Sequence, residues 1–132
     1  MRNPQPRGTV EVVDSVANIL FVLNDPPYGT ERCYNALRLA RTLAKREDVS
    51  VRIFLMADAV GCALAGQVLP NGYYNLERML ESAIQRGADV GLCGTCMDAR
   101  GLGADRLLEG AHRSTIDELT DWTVWAAKVF TF

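Results

Sequence analysis

Two cysteines, Cys93 and Cys96, stand three positions apart in a glycine-bearing stretch, and Arg100 follows them. The apolar residues 90–92 are typical of the end of a buried strand, and ligands in an open α/β sheet bind just beyond the carboxyl ends of its strands. Backbone N–H groups in the turn after Gly94 can stabilise an anion. Because nearby cations lower the pKa of a thiol, this pattern predicts a reactive Cys93 thiolate with Arg100 as its activator.

The cysteines also allow simpler interpretations. Most free cysteines are buried and act as small hydrophobic side chains, as we expect for Cys33 and Cys62. The C-x-x-C spacing occurs in redox dithiols and in half of a zinc site. A thioredoxin-like site needs a cis-proline, and no proline follows Pro70. The other candidate zinc ligands, Cys33, Cys62 and His112, do not form a second closely spaced pair in the sequence. We expect His112 to be structural, and no metal or cofactor is predicted.

Composition argues against several classes of function. The 132 residues are 48% hydrophobic and 23% charged, which predicts one globular domain. A formal net charge of -2 with scattered basic residues makes nucleic acid a poor direct partner. The apolar runs 19–23 and 53–57 are too short to span a bilayer, and residues 1–8 do not resemble a signal peptide. We therefore expect a cytoplasmic protein without a membrane partner, whose thiols stay reduced.

Strand and helix patterns alternate along the chain. The near-continuous apolar run 17–24 predicts an interior strand of a parallel sheet. Further strands are predicted at residues 50–56, 90–93, 107–113 and 128–132. Helical spacing predicts helices after Thr30, which can cap the first of them, over 75–86, and after Ser114 or Thr115. This order predicts an α/β domain with a mostly parallel sheet over 16–132, preceded by a flexible segment 1–15.

The last helix carries a capping-box pattern and two tryptophans. Thr115 and Glu118 have the spacing of the box. Trp122 falls on the predicted apolar side, which begins at Ile116, whereas Trp125 points elsewhere. A small protein does not easily bury two tryptophans on different sides of one helix, so we expect part of this surface to meet another subunit.

Loops that follow parallel strands are expected to meet at one edge of the sheet. The loop after the first strand, the segment that begins at Ala57 and the turn at Cys93 all leave carboxyl strand ends, so we expect them to line one cleft. The pocket candidates in these loops are Asp25, Tyr28, Asp58, Gly94 and Thr95.

Several segments together resemble the DsrE/DsrF-like family. They are I-L-F-V-L-N-D-P-P-Y-G-T, V-R-I-F-L-M-A-D-A-V, R-G-A-D-V and L-C-G-T-C-M-D-A-R-G-L. The likeness covers residues 17–132, including the final helix and strand, and is greatest to a branch of small bacterial homo-oligomers. It implies a single-domain three-layer sandwich with about five strands, assembled as a trimer or hexamer.

The resemblance also implies a function in sulfur transfer. The pocket cysteine of this family follows a strand and precedes an Arg-Gly pair, as Cys93 precedes Arg100 and Gly101. It implies a sulfur carrier or sulfurtransferase that accepts sulfane sulfur as a persulfide on Cys93 from a donor protein and passes it to an acceptor protein. Relay subunits with one thiol in this turn lack a counterpart of Cys96, which either resolves a persulfide or packs.

Two other functions stay open at this point. One is a non-catalytic homo-oligomeric protein whose pocket takes a small ligand while the cysteines are bystanders. The other is a C-x-x-C dithiol redox protein.

Overall fold

Five parallel strands form one sheet in the computed structural model of the chain, which describes residues 16–132. The strands are β1 (Ala17–Leu23), β2 (Val49–Leu55), β3 (Asp89–Cys93), β4 (Ala111–Ser114) and β5 (Lys128–Thr131). Their spatial order is β4-β3-β2-β1-β5, and every neighbouring pair is parallel. The segment 1–15, predicted to be flexible, lies outside the described residues.

Helices cover both faces of the sheet and make the predicted three-layer α/β sandwich. The α-helices are α1 (Arg32–Leu43), α2 (Leu76–Gln85), α3 (Gly94–Ala99) and α4 (Ile116–Trp125), and 3₁₀ helices span Ala57–Ala63 and Ala104–Arg106. None of the helices within residues 16–132 is long and apolar enough to cross a bilayer.

Alternate residues of the strands divide between two apolar clusters. Phe21, Ile53 and Leu92 belong to the main core, with buried residues of α1 and α2. Leu20 and Phe54 form a second, smaller cluster on the opposite face with Trp122 of α4, whose ring meets Phe54 edge-on at 6.0 Å between centroids. The side chain of Cys93 packs against this second cluster, so it lies outside the main core.

The Thr30 hydroxyl binds the first N–H of α1, as the sequence predicts, but from the position before the N-cap. Glu31 holds the N-cap position without a side-chain hydrogen bond. The Thr30 hydroxyl accepts the backbone N–H of Arg32 at 3.2 Å and donates to the Asp25 carboxylate at 2.7 Å. Thr30 thus holds both the Asp25 carboxylate of the loop after β1 and the start of α1.

One of the two hydrogen bonds of the predicted capping box of α4 forms. The Thr115 hydroxyl accepts the Glu118 backbone N–H at 3.1 Å. The Glu118 carboxylate turns instead to Ser114, whose hydroxyl donates to it, and to the ring of His112. Two polar partners on β4 therefore replace the reciprocal bond of the box.

Both tryptophans of α4 pack in the second cluster, which corrects the predicted orientation of Trp125. Trp122 is buried and Trp125 is half-buried. The guanidinium carbon of Arg52 lies 4.0 Å from the ring centre of Trp125 and 5.4 Å from that of Trp122, so a cation from β2 covers both rings. Ile116, predicted on the apolar side, is instead 65% exposed.

Two leucines of α1 give a matched test of the main core. Leu37 is fully buried, whereas Leu39 is 39% exposed. We expect Leu37→Ala to lower the free energy of unfolding by about 2–5 kcal/mol, because it removes buried methyl groups and leaves a cavity. Leu39→Ala should change it by about 0.5 kcal/mol or less. Urea unfolding followed by circular dichroism measures both, and equal losses would contradict this assignment of the core.

Candidate functional site

Cys93 ends β3 and is at the same time the N-cap of α3. Its Sγ accepts the backbone N–H of Cys96 at 3.2 Å, and the Thr95 hydroxyl lies 3.3 Å from it. The sulfur therefore occupies the position in which a serine or aspartate oxygen usually accepts an orphan N–H of the first helical turn. The sequence predicts a turn here, whereas the structure has a six-residue helix.

The two thiols of the C-x-x-C stretch have different proton affinities. Burial alone would raise the pKa of the Cys93 thiol, but hydrogen bonds from Cys96 and Thr95 outweigh it and hold this pKa below its usual range. Burial and the hydrogen bond with Cys93 raise the pKa of Cys96. Of the pair, Cys93 has the larger thiolate fraction and is the favoured nucleophile.

The guanidinium of Arg100 lies against Asp58 and Cys96, which corrects its predicted role as the activator of Cys93. Its Nε and Nη2 donate to Asp58 Oδ1 at 2.9 and 2.7 Å, and its Nη1 donates to the Cys96 carbonyl at 3.1 Å. Its charge acts on the Cys96 thiol, where it opposes the rise in pKa. Arg100 thus ties the end of α3 to the segment that follows β2.

Arg113 is the cation next to Cys93 that the sequence analysis misses. A Cβ built on Gly94 would lie 2.9 Å from the Arg113 guanidinium, so the missing side chain lets this group lie against the start of α3. Hydrogen bonds to both Asp98 oxygens, at 2.8 and 2.9 Å, raise the pKa of Arg113, and the nearby Cys93 adds to this effect. The register of β3 and β4 brings Arg113 here, and no local pattern signals it.

A cavity of about 500 Å³ lies beside the Cys93 sulfur on the second face of the sheet. Its lining comes from the end of β2, the first turn of α3 and the start of α4. The residues are Phe54, Met56, Cys93, Gly94, Thr95, Cys96, Thr115 and Ile116. Gly94 and Thr95 are thus pocket residues as the sequence suggests, whereas Asp58 stays outside this lining and contacts the site through Arg100.

The other two pocket candidates, Asp25 and Tyr28, lie elsewhere. The Tyr28 hydroxyl accepts the backbone N–H of Leu76 at 3.0 Å and donates to the Gln67 side chain. The Asp25 carbonyl accepts a hydrogen bond from the Cys33 thiol at 3.1 Å. Because the loop after β1 leads into α1, it lies beside the main core, and the prediction that all three loops line one cleft is wrong for this loop.

The remaining candidates have structural positions. Cys33 and Cys62 are fully buried in the main core, as predicted. His112 Nε2 lies 2.5 Å from Glu118 Oε1, the kind of partner expected for a structural histidine. Across residues 16–132, the structure shows no cluster of three or more His, Cys, Asp or Glu side chains arranged to hold a metal ion.

The parallel five-stranded sheet, with a cysteine at the carboxyl end of its third strand in sequence, agrees with the family resemblance. A family model confirms it: the chain belongs to the DsrE/DsrF-like family, which matches residues 17–132. The protein YchN of Escherichia coli K12 is 44% identical over 115 residues, which cover 86% of this chain and 97% of that protein. Protein MK0008 of Methanopyrus kandleri is 38% identical, over 95% of this chain and 99% of its own.

Solved structures agree with this membership. The crystal structure of YchN from Escherichia coli superposes with a TM-score of 0.83 at 42% identity, covering 89% of this chain and all of that chain. The structure of MTH1491 from Methanobacterium thermoautotrophicum has a TM-score of 0.68 at 17% identity, covering 85% of this chain and 96% of its own. The second likeness concerns the fold alone.

The hydrogen bonds to the Cys93 sulfur predict a distinct pH profile for its alkylation. The thiolate reacts and the thiol does not, so a lowered pKa moves the midpoint of the rate profile below the value of about 8.5 for a free cysteine. Iodoacetamide labelling mapped to the Cys93 peptide should show this midpoint. Thr95→Val removes one hydrogen bond and should move the midpoint to higher pH.

Residue Thr120 offers a matched control for this experiment. Its hydroxyl donates to the Ile116 carbonyl within α4 at 2.8 Å. Thr120→Val should therefore leave the Cys93 profile unchanged. A midpoint for the natural chain at or above that of a free cysteine would contradict the assigned hydrogen bonds.

Proposed function

We propose that this protein carries sulfane sulfur as a persulfide on Cys93, taking it from a donor protein and passing it to an acceptor protein. The Cys93 thiolate attacks the outer sulfur of a donor persulfide, R–S–SH. A new S–S bond forms, the donor bond breaks, and R–S⁻ leaves with the electron pair, so the product is Cys93–S–SH. The observation that carries this proposal is a half-exposed Cys93 sulfur that accepts hydrogen bonds beside a cavity.

Three features of the site support sulfur transfer. The lowered pKa of Cys93 increases the fraction of nucleophilic thiolate at any given pH over that of an ordinary cysteine. The cavity of about 500 Å³ gives a bound second sulfur atom room beside Cys93. Phe54 and Met56 line one side of it, and apolar, polarisable groups suit a sulfur atom better than water does.

A second copy of this chain is our proposed partner for the second face of the sheet. Among residues 16–132, the ten-residue helix α4 alone covers much of this face, whereas α1 and α2 cover the other. Ile116, Val124 and Val129 are 65%, 83% and 45% exposed, and Val129 pairs in register with Leu20 of the second cluster, so it lies on that face. Exposed apolar side chains of this size favour a homo-oligomer, as a trimer or hexamer, over a monomer.

The lining of the cavity favours one alternative function, the binding of a small apolar ligand. Phe54, Met56 and Ile116 contribute apolar surface, which is typical of ligand pockets. Iodoacetamide separates the two functions. Rapid labelling of Cys93 in the folded protein supports the carrier, and labelling only after unfolding supports the ligand-binding protein.

Intact mass after exposure to a sulfane-sulfur donor tests the carrier. We expect the natural chain to gain one sulfur atom immediately after anaerobic loading, mapped to the Cys93 peptide, because the thiolate there attacks the donor. Cys93→Ser should gain none, since a hydroxyl of ordinary pKa is a poor nucleophile. Cys62→Ala removes a buried thiol and serves as the control that still loads. Equal loading of the natural chain and Cys93→Ser would refute the assignment.

Ile116→Asp tests the proposed oligomer by native mass spectrometry. The change places a charge on the exposed apolar surface, and aspartate in the first turn of α4 suits the helix, so we expect smaller assemblies with an intact fold. Val68→Asp is the matched control, because Val68 is 91% exposed in the loop that precedes α2, near the helices of the main core. A natural chain that is monomeric at micromolar concentration would overturn the proposal.

A further inference from the structure

We propose that Cys96 resolves the persulfide on Cys93, so that the protein releases sulfide and is left with a Cys93–Cys96 disulfide. This inference rests on the proposed function, because it needs a persulfide on Cys93. The carried sulfur can then leave the protein as sulfide, in addition to being transferred directly to an acceptor protein.

The positions of the two cysteines permit the reaction. The Cys96 backbone N–H lies 3.2 Å from the Cys93 sulfur, and both residues line the same cavity. Helix geometry puts the Cα atoms of residues three apart at about 5 Å, inside the range of about 4.4–6.8 Å that a disulfide spans. A small side-chain rotation then suffices to bring the two sulfur atoms together.

Cys96 has its own polar surroundings, which a merely packed thiol does not need. The nearby backbone of Ala57 lowers the pKa of the Cys96 thiol. Ala57 has φ +51, a left-handed conformation that is uncommon for residues other than glycine, asparagine and aspartate. Arg100, fixed by Asp58, brings its positive charge to the same thiol. Both groups oppose the rise in the pKa of Cys96 that burial and Cys93 cause, and so keep the attacking thiolate of Cys96 accessible.

The step balances without an external oxidant. The Cys96 sulfur attacks the inner sulfur of Cys93–S–SH, an S–S bond forms between the two cysteines, and the bond to the outer sulfur breaks. The outer sulfur leaves as HS⁻ with the electron pair of that bond, and the Cys96 proton passes to solvent or to the leaving sulfide. The sulfane sulfur is reduced and the two cysteine sulfurs are oxidised, so a dithiol reductant must later restore both thiols.

Anaerobic loading with inorganic polysulfide, followed by rapid desalting, tests the inference. Free sulfide and intact mass are then followed over time without reductant. We expect the natural chain to release one equivalent of sulfide for each persulfide loaded and to end two hydrogens lighter than the reduced protein. Cys96→Ser and Cys96→Ala should keep the added sulfur on Cys93 and release none. Cys62→Ala, which alters a buried thiol in the main core, should behave as the natural chain does.

The outcomes separate the two proposals. A natural chain that holds its persulfide as long as the Cys96 variants do would overturn the resolving role and leave the carrier intact. Equal sulfide release from the natural chain and both variants would overturn it too. A failure of every chain to gain sulfur would refute the carrier, and the resolving role with it.

Discussion

The absence of a side chain at Gly94 is the constraint on which the site depends. A Cβ there would come within 2.9 Å of the Arg113 guanidinium and of the Ser114 backbone carbonyl. The guanidinium is flexible, but the carbonyl belongs to β4 and cannot move without disturbing the sheet. Only glycine therefore allows α3 to start directly at the end of β3, and only that start brings the Cys96 amide to the Cys93 sulfur.

The unequal cover of the two sheet faces decides where the site opens. On one face, α1 and α2 bury the side chains of β1 to β3 in the main core. Cys93 points to the other face, where Phe54 and Trp122 form a small cluster under α4. The cavity lies between that helix, α3 and the end of β2. A thiol on the well-covered face would be sealed, as Cys33 and Cys62 are.

Strands β1, β2 and β3 are readable from the sequence because a strand buried on both faces is a mostly apolar run, and α2 is readable because its apolar residues repeat at helical spacing. The same logic places Cys93 at a strand end. Strand β4, predicted at 107–113, lies at Ala111–Ser114 and carries no such run. Helix α3 is not readable, since six residues that begin with glycine have little intrinsic helix propensity. The contact of Arg113 with Gly94 and the position of Tyr28 depend on strand register and helix packing, which local patterns do not contain.

The thiols of Cys93 and Cys96 differ in their surroundings although the two residues are only three positions apart in the sequence. Cys93 receives its hydrogen bonds from the first turn of α3, which begins at the next residue. Cys96 depends on a distant part of the chain as well, because the Ala57 backbone acts on its thiol and Asp58 holds the Arg100 side chain beside it. Since Ala57 and Asp58 come from the segment after β2, any movement of that segment against α3 changes the surroundings of Cys96 while Cys93 keeps its own. The surroundings of the Cys93 thiol are thus set by neighbouring residues in the sequence, and those of the Cys96 thiol depend also on tertiary contacts.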